Sequence, residues 1–307
     1  MPELPEVQTT VNGLNEHVIG LKIADVWSSY NSPYFKGSNT IKDPLYFKVF
    51  KKEVLDKKIV SVTRRAKNIL IRLDNDDTIL VHMKMTGHLL FGQYHFNQKN
   101  KVNPWEPIEP EGLKDPFNRH VRFVLTFSNK KHLALSDTRK FAKVTLIKAE
   151  HFHKTEHLHD IGPEPLEEIF DLKEFNARID RKPNAKIKQV LLDQSNIAGI
   201  GNIYADESLW LASIHPAEKV RDLSNKQRAD LFKAVKSSLS KGINLGGAST
   251  SDYRNINGEK GTFQQVHHAY QRADTACDKR GCKGIIQRIV IGARGTHYCP
   301  EHQKLNK

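Results

Sequence analysis

Apolar positions at Val7, Val11, Leu14 and Val18 recur every three or four residues, which predicts an amphipathic helix over 2–18. The period then shortens. Ile59-Val60-Ser61-Val62 and Ile69-Leu70-Ile71-Arg72-Leu73 read as strands flanking a basic turn, Arg64-Arg65-Ala66-Lys67. Asp74-Asn75-Asp76-Asp77 reads as a hairpin turn into a strand over Thr78–Met85. His120–Phe127 and His132–Ser136 form a second predicted hairpin across Ser128-Asn129-Lys130-Lys131, and Lys143–Ile147 adds a strand. Residues 30–52 and 92–117 are poorly patterned and read as loops or insertions. The half up to about residue 150 is therefore mostly β, a sandwich with one N-terminal helix.

Gly162-Pro163-Glu164-Pro165 marks a boundary, beyond which the spacing turns helical. Asn184 is the expected cap of a helix carrying Ile187, Val190 and Leu191, and Gly199-Ile200-Gly201-Asn202 leads into a second helix, Ile203–Ala212. Ser224 and Gln227 have capping-box spacing for a third helix with Leu231, Val235 and Leu239, ended by Gly246-Gly247. Residues 248–268 read as loop. The tail, 270–307, is small, basic and contains all three cysteines.

Composition adds a partner class. Over 307 residues, Lys+Arg number 48 against 35 Asp+Glu, a net charge of +13. Such an excess suits a polyanion, nucleic acid first, although generic solubility also accommodates it. No apolar run reaches the ~18 residues of a membrane span. An odd number of cysteines in one C-terminal cluster argues against a disulfide framework and fits a reducing compartment.

Three groups of residues carry candidate chemistry. At the start, removal of Met1 would leave Pro2 as a secondary amine, partly neutral at cellular pH and able to attack an electrophilic sugar carbon. Glu3 and Glu6 lie three apart on the same helical face, beside that amine. The same residues equally suit an ordinary helix start, since proline and acids favour a first turn. Near the end, Cys277-x4-Cys282-x16-Cys299-x2-His302 has the spacing of two ligand pairs across a β-hairpin, a pattern for structural zinc. Arg288 and Arg294 between the pairs suit phosphate oxygens. The Gly199–Asn202 turn lacks a preceding strand and a third glycine, so it is no dinucleotide loop, yet a helix start can offer N–H groups to DNA phosphate. Finally, Met85, Arg139 and Phe141 sit at predicted strand ends, two apolar wedges and a guanidinium that could fill the gap left by an extruded nucleotide.

With these motifs in place, the chain resembles the formamidopyrimidine-DNA glycosylases nearly end to end. Met1–Val7 is similar to that family's N-terminus, and Arg64–Lys67 to the segment with its essential lysine, here Lys67. His82–Gly87 and Asp137–Phe141 resemble its void-filling loops, Ile161–Leu166 its interdomain segment, and Asp193–Glu207 its helix–two-turn–helix motif. Arg294–Cys299 resembles its zinc hairpin. Leu4, and the stretch Ser251–Gln265 that resembles the loop covering an extruded oxidised purine, set the chain apart from the related endonuclease VIII branch. It departs from the common pattern in its x4 first cysteine spacing, in His302 as last ligand, and in Thr138, Lys140 and Ser195.

The resemblance implies an α+β fold: an N-terminal β-sandwich with its helix, a helical helix–two-turn–helix domain, and a zinc β-hairpin, with segments 1–150, 151–265 and 266–307. It implies a monomer acting on double-stranded DNA that contains oxidised bases or abasic sites, in the cytoplasm and at the nucleoid if bacterial. Pro2, Glu3, Glu6 and Lys67 would be catalytic. Met85, Arg139, Phe141, Asn202 and Arg294 would bind DNA, and one structural zinc would sit on Cys277, Cys282, Cys299 and His302. The implied activity is a bifunctional glycosylase and abasic-site lyase for oxidised purines. An enzyme for oxidised pyrimidines and a non-catalytic DNA-binding protein are the alternatives.

Overall fold

The computed structural model describes residues 1–305 and divides the chain into two compact units, Met1–His159 with Gly246–Thr262, and Asp160–Leu245 with the residues from Phe263 onward. Gly246–Thr262, which sequence alone groups with the helical segment, thus packs with the N-terminal unit.

The first unit opens with α1 (Leu4–His17), followed by β1 (Ile23–Ser28) and α2 (Pro44–Val54). Eight further strands follow: β2 (Ile59–Arg65), β3 (Asn68–Leu73), β4 (Thr78–His82), β5 (His88–Phe96), β6 (Trp105–Glu109), β7 (Val121–Phe127), β8 (His132–Ser136) and β9 (Lys143–Ile147). They form two antiparallel sheets, ordered β2-β3-β4-β9 and β1-β7-β8-β5-β6. One core joins them. Ile69, Ile71 and Ile79 from the first sheet and Leu89, Phe123 and Leu133 from the second pack with Val7, Val11 and Leu14 of α1. This is the expected sandwich.

Two segments expected as loops are ordered elements. Within 30–52, α2 starts at Pro44 with Asp43 as cap, its Oδ1 accepting from Leu45 N at 2.9 Å. It buries only Phe50 and Val54 and leaves Leu45 and Val49 exposed, so its apolar stripe is blurred. Within 92–117, β5 runs on to Phe96 and β6 forms the sheet edge. Pro107 interrupts the strand pattern of β6, an interruption that only an edge tolerates.

The second unit holds α3 (Leu172–Ile179), α4 (Ile187–Leu192), α5 (Asn202–Leu211), α6 (Asn225–Asn244) and a two-stranded hairpin, β10 (Gln287–Ile291) with β11 (Arg294–Tyr298). The Ser224–Gln227 capping box of α6 forms as expected. Asn184 does not cap α4. The cap position is Lys186, and the Asn184 side chain instead accepts from Arg221 Nη1 at 2.7 Å. Among the described residues, no helix is long and apolar enough to cross a membrane.

Candidate functional site

In the first unit, Pro2, Glu3 and Glu6 are all buried, while Met1 is 42% exposed. Glu6 ties this turn down at both carboxylate oxygens. Oε2 accepts the Glu3 backbone N–H at 2.7 Å, and Oε1 accepts that of Ala248 at 2.7 Å. Its backbone carbonyl accepts from the Tyr253 hydroxyl at 3.1 Å and from Thr10 Oγ1 at 2.9 Å. Gly247 permits this approach: its φ is +83°, and a Cβ there would lie 2.8 Å from Glu6 Cγ. A carboxylate held by two backbone amides orients rather than shuttles protons.

Lys67 lies in the two-residue turn between β2 and β3, next to Ala66 at φ 52°, and is buried. Its charge acts on the His82 ring at the end of β4. Burial first, and then the ammonium groups of Lys84, Lys67 and Lys143, hold the His82 pKa down to about 3. His82 is thus neutral, and its Nδ1 accepts the Lys84 N–H at 3.0 Å, which shapes the turn carrying Met85.

Met85 and Phe141 are 38% and 48% exposed, and the Arg139 guanidinium lies 4.7 Å from the Phe141 ring centre. Their two turns are joined by a fully buried Asp137. Its Oδ1 accepts from Thr86 Oγ1 at 2.5 Å, and its Oδ2 accepts from the Tyr30 hydroxyl and Ala142 N, both at 2.8 Å. Thr86 Oγ1 in turn accepts the Arg139 N–H at 3.1 Å. Burial, and next the Asp137 charge, raise the Tyr30 pKa well above its ordinary value, so Tyr30 remains a donor.

In the second unit, Asn202 opens α5 and donates from Nδ2 to the Gly295 carbonyl at 2.9 Å, one residue from exposed Arg294. This amide docks the hairpin on α5. The Asn202 Oδ1 is buried without a hydrogen-bond partner. Lys188 of α4 and Asp206 of α5 complete the junction, 2.5 Å apart and wholly out of solvent. Lys188 Nζ also meets Thr296 Oγ1 at 2.7 Å, and Asp206 Oδ2 accepts from His297 N at 2.9 Å. Glu207 beside it accepts from the backbone N–H groups of His268, Ala269 and Tyr270, which lead toward the cysteines; burial raises its pKa against those amides.

Cys277, Cys282, Cys299 and His302 converge, with ligand atoms all within 4.8 Å of one another, and could hold a metal ion. Cys282 Sγ lies 3.5 Å from Cys299 Sγ and 3.5 Å from His302 Nδ1, and Cys277 Sγ 3.7 Å from the same nitrogen. Gly284 N donates to Cys282 Sγ at 3.4 Å, and a Cβ on Gly284 would sit 2.5 Å from Cys299 Sγ. Trp210, Ala269 and Ile286 pack around the cysteines.

Sequence reasoning gave no individual role to Lys188, Asp206, Glu207 or Asp137, although the last three lie within motifs it singled out. One signal was available for three of them: charged residues set among apolar neighbours in short helices, Ile187-Lys188 and Ala205-Asp206-Glu207-Ser208-Leu209. Asp137 leaves no such trace.

Residues 1–144 match the model of the formamidopyrimidine-DNA glycosylase N-terminal domain, and residues 161–254 match its H2TH domain. The formamidopyrimidine-DNA glycosylase of Herpetosiphon aurantiacus is 36% identical over 98% of both chains, and that of Cytobacillus firmus 36% identical over 99% of this chain and all of the other. Among solved structures, the Lactococcus lactis Fpg in complex with an abasic-site-containing DNA aligns with a TM-score of 0.81 at 30% identity, over 98% of this chain and 99% of that one. The same bacterium's Fpg with a DNA containing N7-benzyl-Fapy-dG aligns at 0.80 and 31% identity, over 99% and 100%.

Proposed function

The chain belongs to the formamidopyrimidine-DNA glycosylase family, and on that basis we propose that it excises oxidised purines, 8-oxoguanine and formamidopyrimidines, from double-stranded DNA and then cleaves the strand. The observation that carries the reading is the buried Pro2–Glu3 turn, fixed by Glu6.

After loss of Met1, the Pro2 nitrogen uses its lone pair to bond C1′ of the damaged nucleotide. The glycosidic bond breaks, its electron pair leaves with the base, and the base takes up a proton. The amine gives up its proton, the C1′–O4′ bond breaks with its electron pair going to O4′, which takes up a proton, and a C1′=N iminium remains that carries no N–H because proline is a secondary amine. Glu3 handles protons on the deoxyribose. The iminium acidifies C2′–H, so loss of that proton expels the 3′ phosphate, and a second elimination expels the 5′ phosphate. Lys67, Asn202 and Arg294 hold phosphates flanking the lesion. Met85, Arg139 and Phe141 fill the gap left by the extruded nucleotide.

Zinc is our assignment for the Cys3His group. A tetrahedral ion with Zn–S near ~2.3 Å and Zn–N near ~2.0 Å implies S···S of about 3.8 Å and S···N of about 3.5 Å. Three of the six ligand-atom separations, at 3.5, 3.5 and 3.7 Å, suit it, and all six lie within 4.8 Å. With every position taken by protein, the ion is structural and holds the hairpin that carries Arg294. Segment 1–150, with Gly246–Thr262 packed into its unit, would supply the chemistry, the rest of 151–265 the helical DNA contacts and 266–307 the zinc hairpin, in a monomer working in the cytoplasm if bacterial.

The test is borohydride trapping on duplexes with 8-oxoguanine opposite cytosine, thymine glycol or an abasic site. A covalent adduct on the first, lost in Glu3→Gln, supports the reading. An adduct on thymine glycol but not on 8-oxoguanine would favour the pyrimidine enzyme. Tight binding with no adduct on any of them would favour a binding protein.

A further inference from the structure

One large cation in the first unit has no part in that reaction. Arg254, in the segment that returns after α6, is 1% exposed. A guanidinium out of water persists only when paired and hydrogen-bonded. Its Nε donates to Asp115 Oδ2 at 3.0 Å, its Nη1 donates to the carbonyls of Ser251 and Tyr253 at 3.0 and 2.9 Å, and its Cζ lies 4.6 Å from the Phe117 ring centre. Asp115 and Phe117 belong to the turns that precede β7. Those turns grip the segment a second time through Asn118, whose Nδ2 donates to the Gly112 and Gly258 carbonyls at 2.9 and 3.1 Å. Ile256 enters the sandwich core, and its carbonyl accepts the Phe91 N–H at 2.8 Å.

The other end of this segment touches the catalytic turn. Ala248 N–H and the Tyr253 hydroxyl both donate to Glu6, and Glu6 in turn accepts the Glu3 N–H. Tyr253 is the residue whose carbonyl Arg254 holds. The contacts therefore run from Asp115 through Arg254, Tyr253 and Glu6 to Glu3.

We propose that Arg254, gripped by Asp115 and Phe117, is a positioning residue for Schiff-base formation: it fixes the 248–254 segment so that Ala248 and Tyr253 hold Glu6, and through it the Pro2–Glu3 backbone, in the reactive orientation. The inference rests on the glycosylase–lyase reading above. Without the guanidinium, Asn118 and Ile256 still anchor the segment, so the unit folds while Glu6 gains freedom. Because Arg254 is buried, its loss is expected to leave DNA affinity in place.

The experiment uses the full-length zinc-loaded protein and a duplex with one abasic site, which removes base recognition from the measurement. Single-turnover borohydride trapping rates and dissociation constants are compared for the wild type, Arg254→Met, Arg254→Lys, Glu6→Gln and the Arg254→Met/Glu6→Gln double variant. Arg254→Met should trap about tenfold more slowly or worse, with affinity within about twofold, because small misplacements of reacting groups are costly. Arg254→Lys should recover part of the rate, and the double variant should be no slower than Glu6→Gln alone, since both act through one contact. Wild-type trapping by Arg254→Met, parallel loss of rate and affinity, or multiplying defects in the double variant would each overturn the proposal. If Arg254→Met does not fold, Asp115→Asn, on a partly exposed side chain, carries the same expectations. A wild-type protein that never traps would refute the lyase reading itself, and this inference with it.

Discussion

The Lys188 ammonium and the Asp206 carboxylate meet at 2.5 Å with no solvent exposure on either side chain. They lock α4 to α5, and through Thr296 and His297 they lock both helices to β11. Removing one partner strands the other charge in a dry site. Lys188→Met or Asp206→Asn should therefore each cost about 3–5 kcal/mol. The double Lys188→Met/Asp206→Leu variant should recover much of that loss, because no uncompensated charge remains. Denaturant unfolding of the four proteins measures this; equal, small effects of the single changes would mean that the pair is not desolvated.

Glu6 uses one oxygen for Glu3 N and the other for Ala248 N. In Glu6→Gln one acceptor becomes an NH2 group facing a backbone N–H. The expected result is a fall of about a hundredfold in borohydride trapping on an abasic duplex, with DNA affinity unchanged. Loss of affinity in step with rate would instead assign Glu6 to general folding.

Asp137 fixes the spacing between the Met85 turn and the Arg139–Phe141 turn by accepting from Thr86, Tyr30 and Ala142. Asp137→Asn presents an amide donor to partners that are themselves donors, at a cost of about 1–3 kcal/mol. Because we propose that Met85, Arg139 and Phe141 fill the gap left by the extruded nucleotide, where they would meet the orphaned base, the variant should discriminate less between cytosine and adenine opposite 8-oxoguanine. Single-turnover excision ratios read this directly. Tyr30→Phe removes one donor to the same carboxylate and should produce a weaker version of the same defect.

The elements that could be read in advance are those whose evidence is local. The stripe of α1, the capping box of α6 and the cysteine–histidine spacing each lie within a short window, and each has its expected structural counterpart. The helix α2 escaped because Leu45 and Val49 sit on its exposed face and dilute the period. What no window could hold is the bond from Ala248 to Glu6, made across 242 positions. Arg254 with Asp115 is of the same kind, 139 positions apart. Both join a loop without periodicity to a distant turn, and their partners differ by no compositional mark from surface residues.

Cys282 is the half-exposed cysteine of the metal group, and its sulfur lies against both Cys299 and His302. Cys282→Ser should weaken zinc binding by at least about tenfold, since a hydroxyl is a poor replacement for thiolate. Without the ion the β10–β11 hairpin keeps its ties to Lys188, Asp206 and Asn202 but loses the one at the cysteines, so Arg294 is held less firmly and duplex binding falls. Atomic absorption on the purified variant gives the metal content, and a duplex titration gives the affinity. A metal-free variant that binds DNA like the wild type would remove the hairpin from the interface.

His82 provides a dependence of stability on pH. Burial, then Lys84, Lys67 and Lys143, bring its pKa from an ordinary 6.5 to about 3. Between those two values the unfolded chain binds a proton at this position and the folded chain does not. The associated stability is therefore complete above about pH 6.5, and it falls by at most roughly 1.4 kcal/mol per pH unit as the solution is acidified. His82→Gln keeps an acceptor for Lys84 N without a titrating ring, so its unfolding free energy should vary less steeply over this range, by up to one proton. Denaturant titrations of both proteins at several pH values supply the two slopes. Identical slopes would mean that the ring takes up its proton in the folded state.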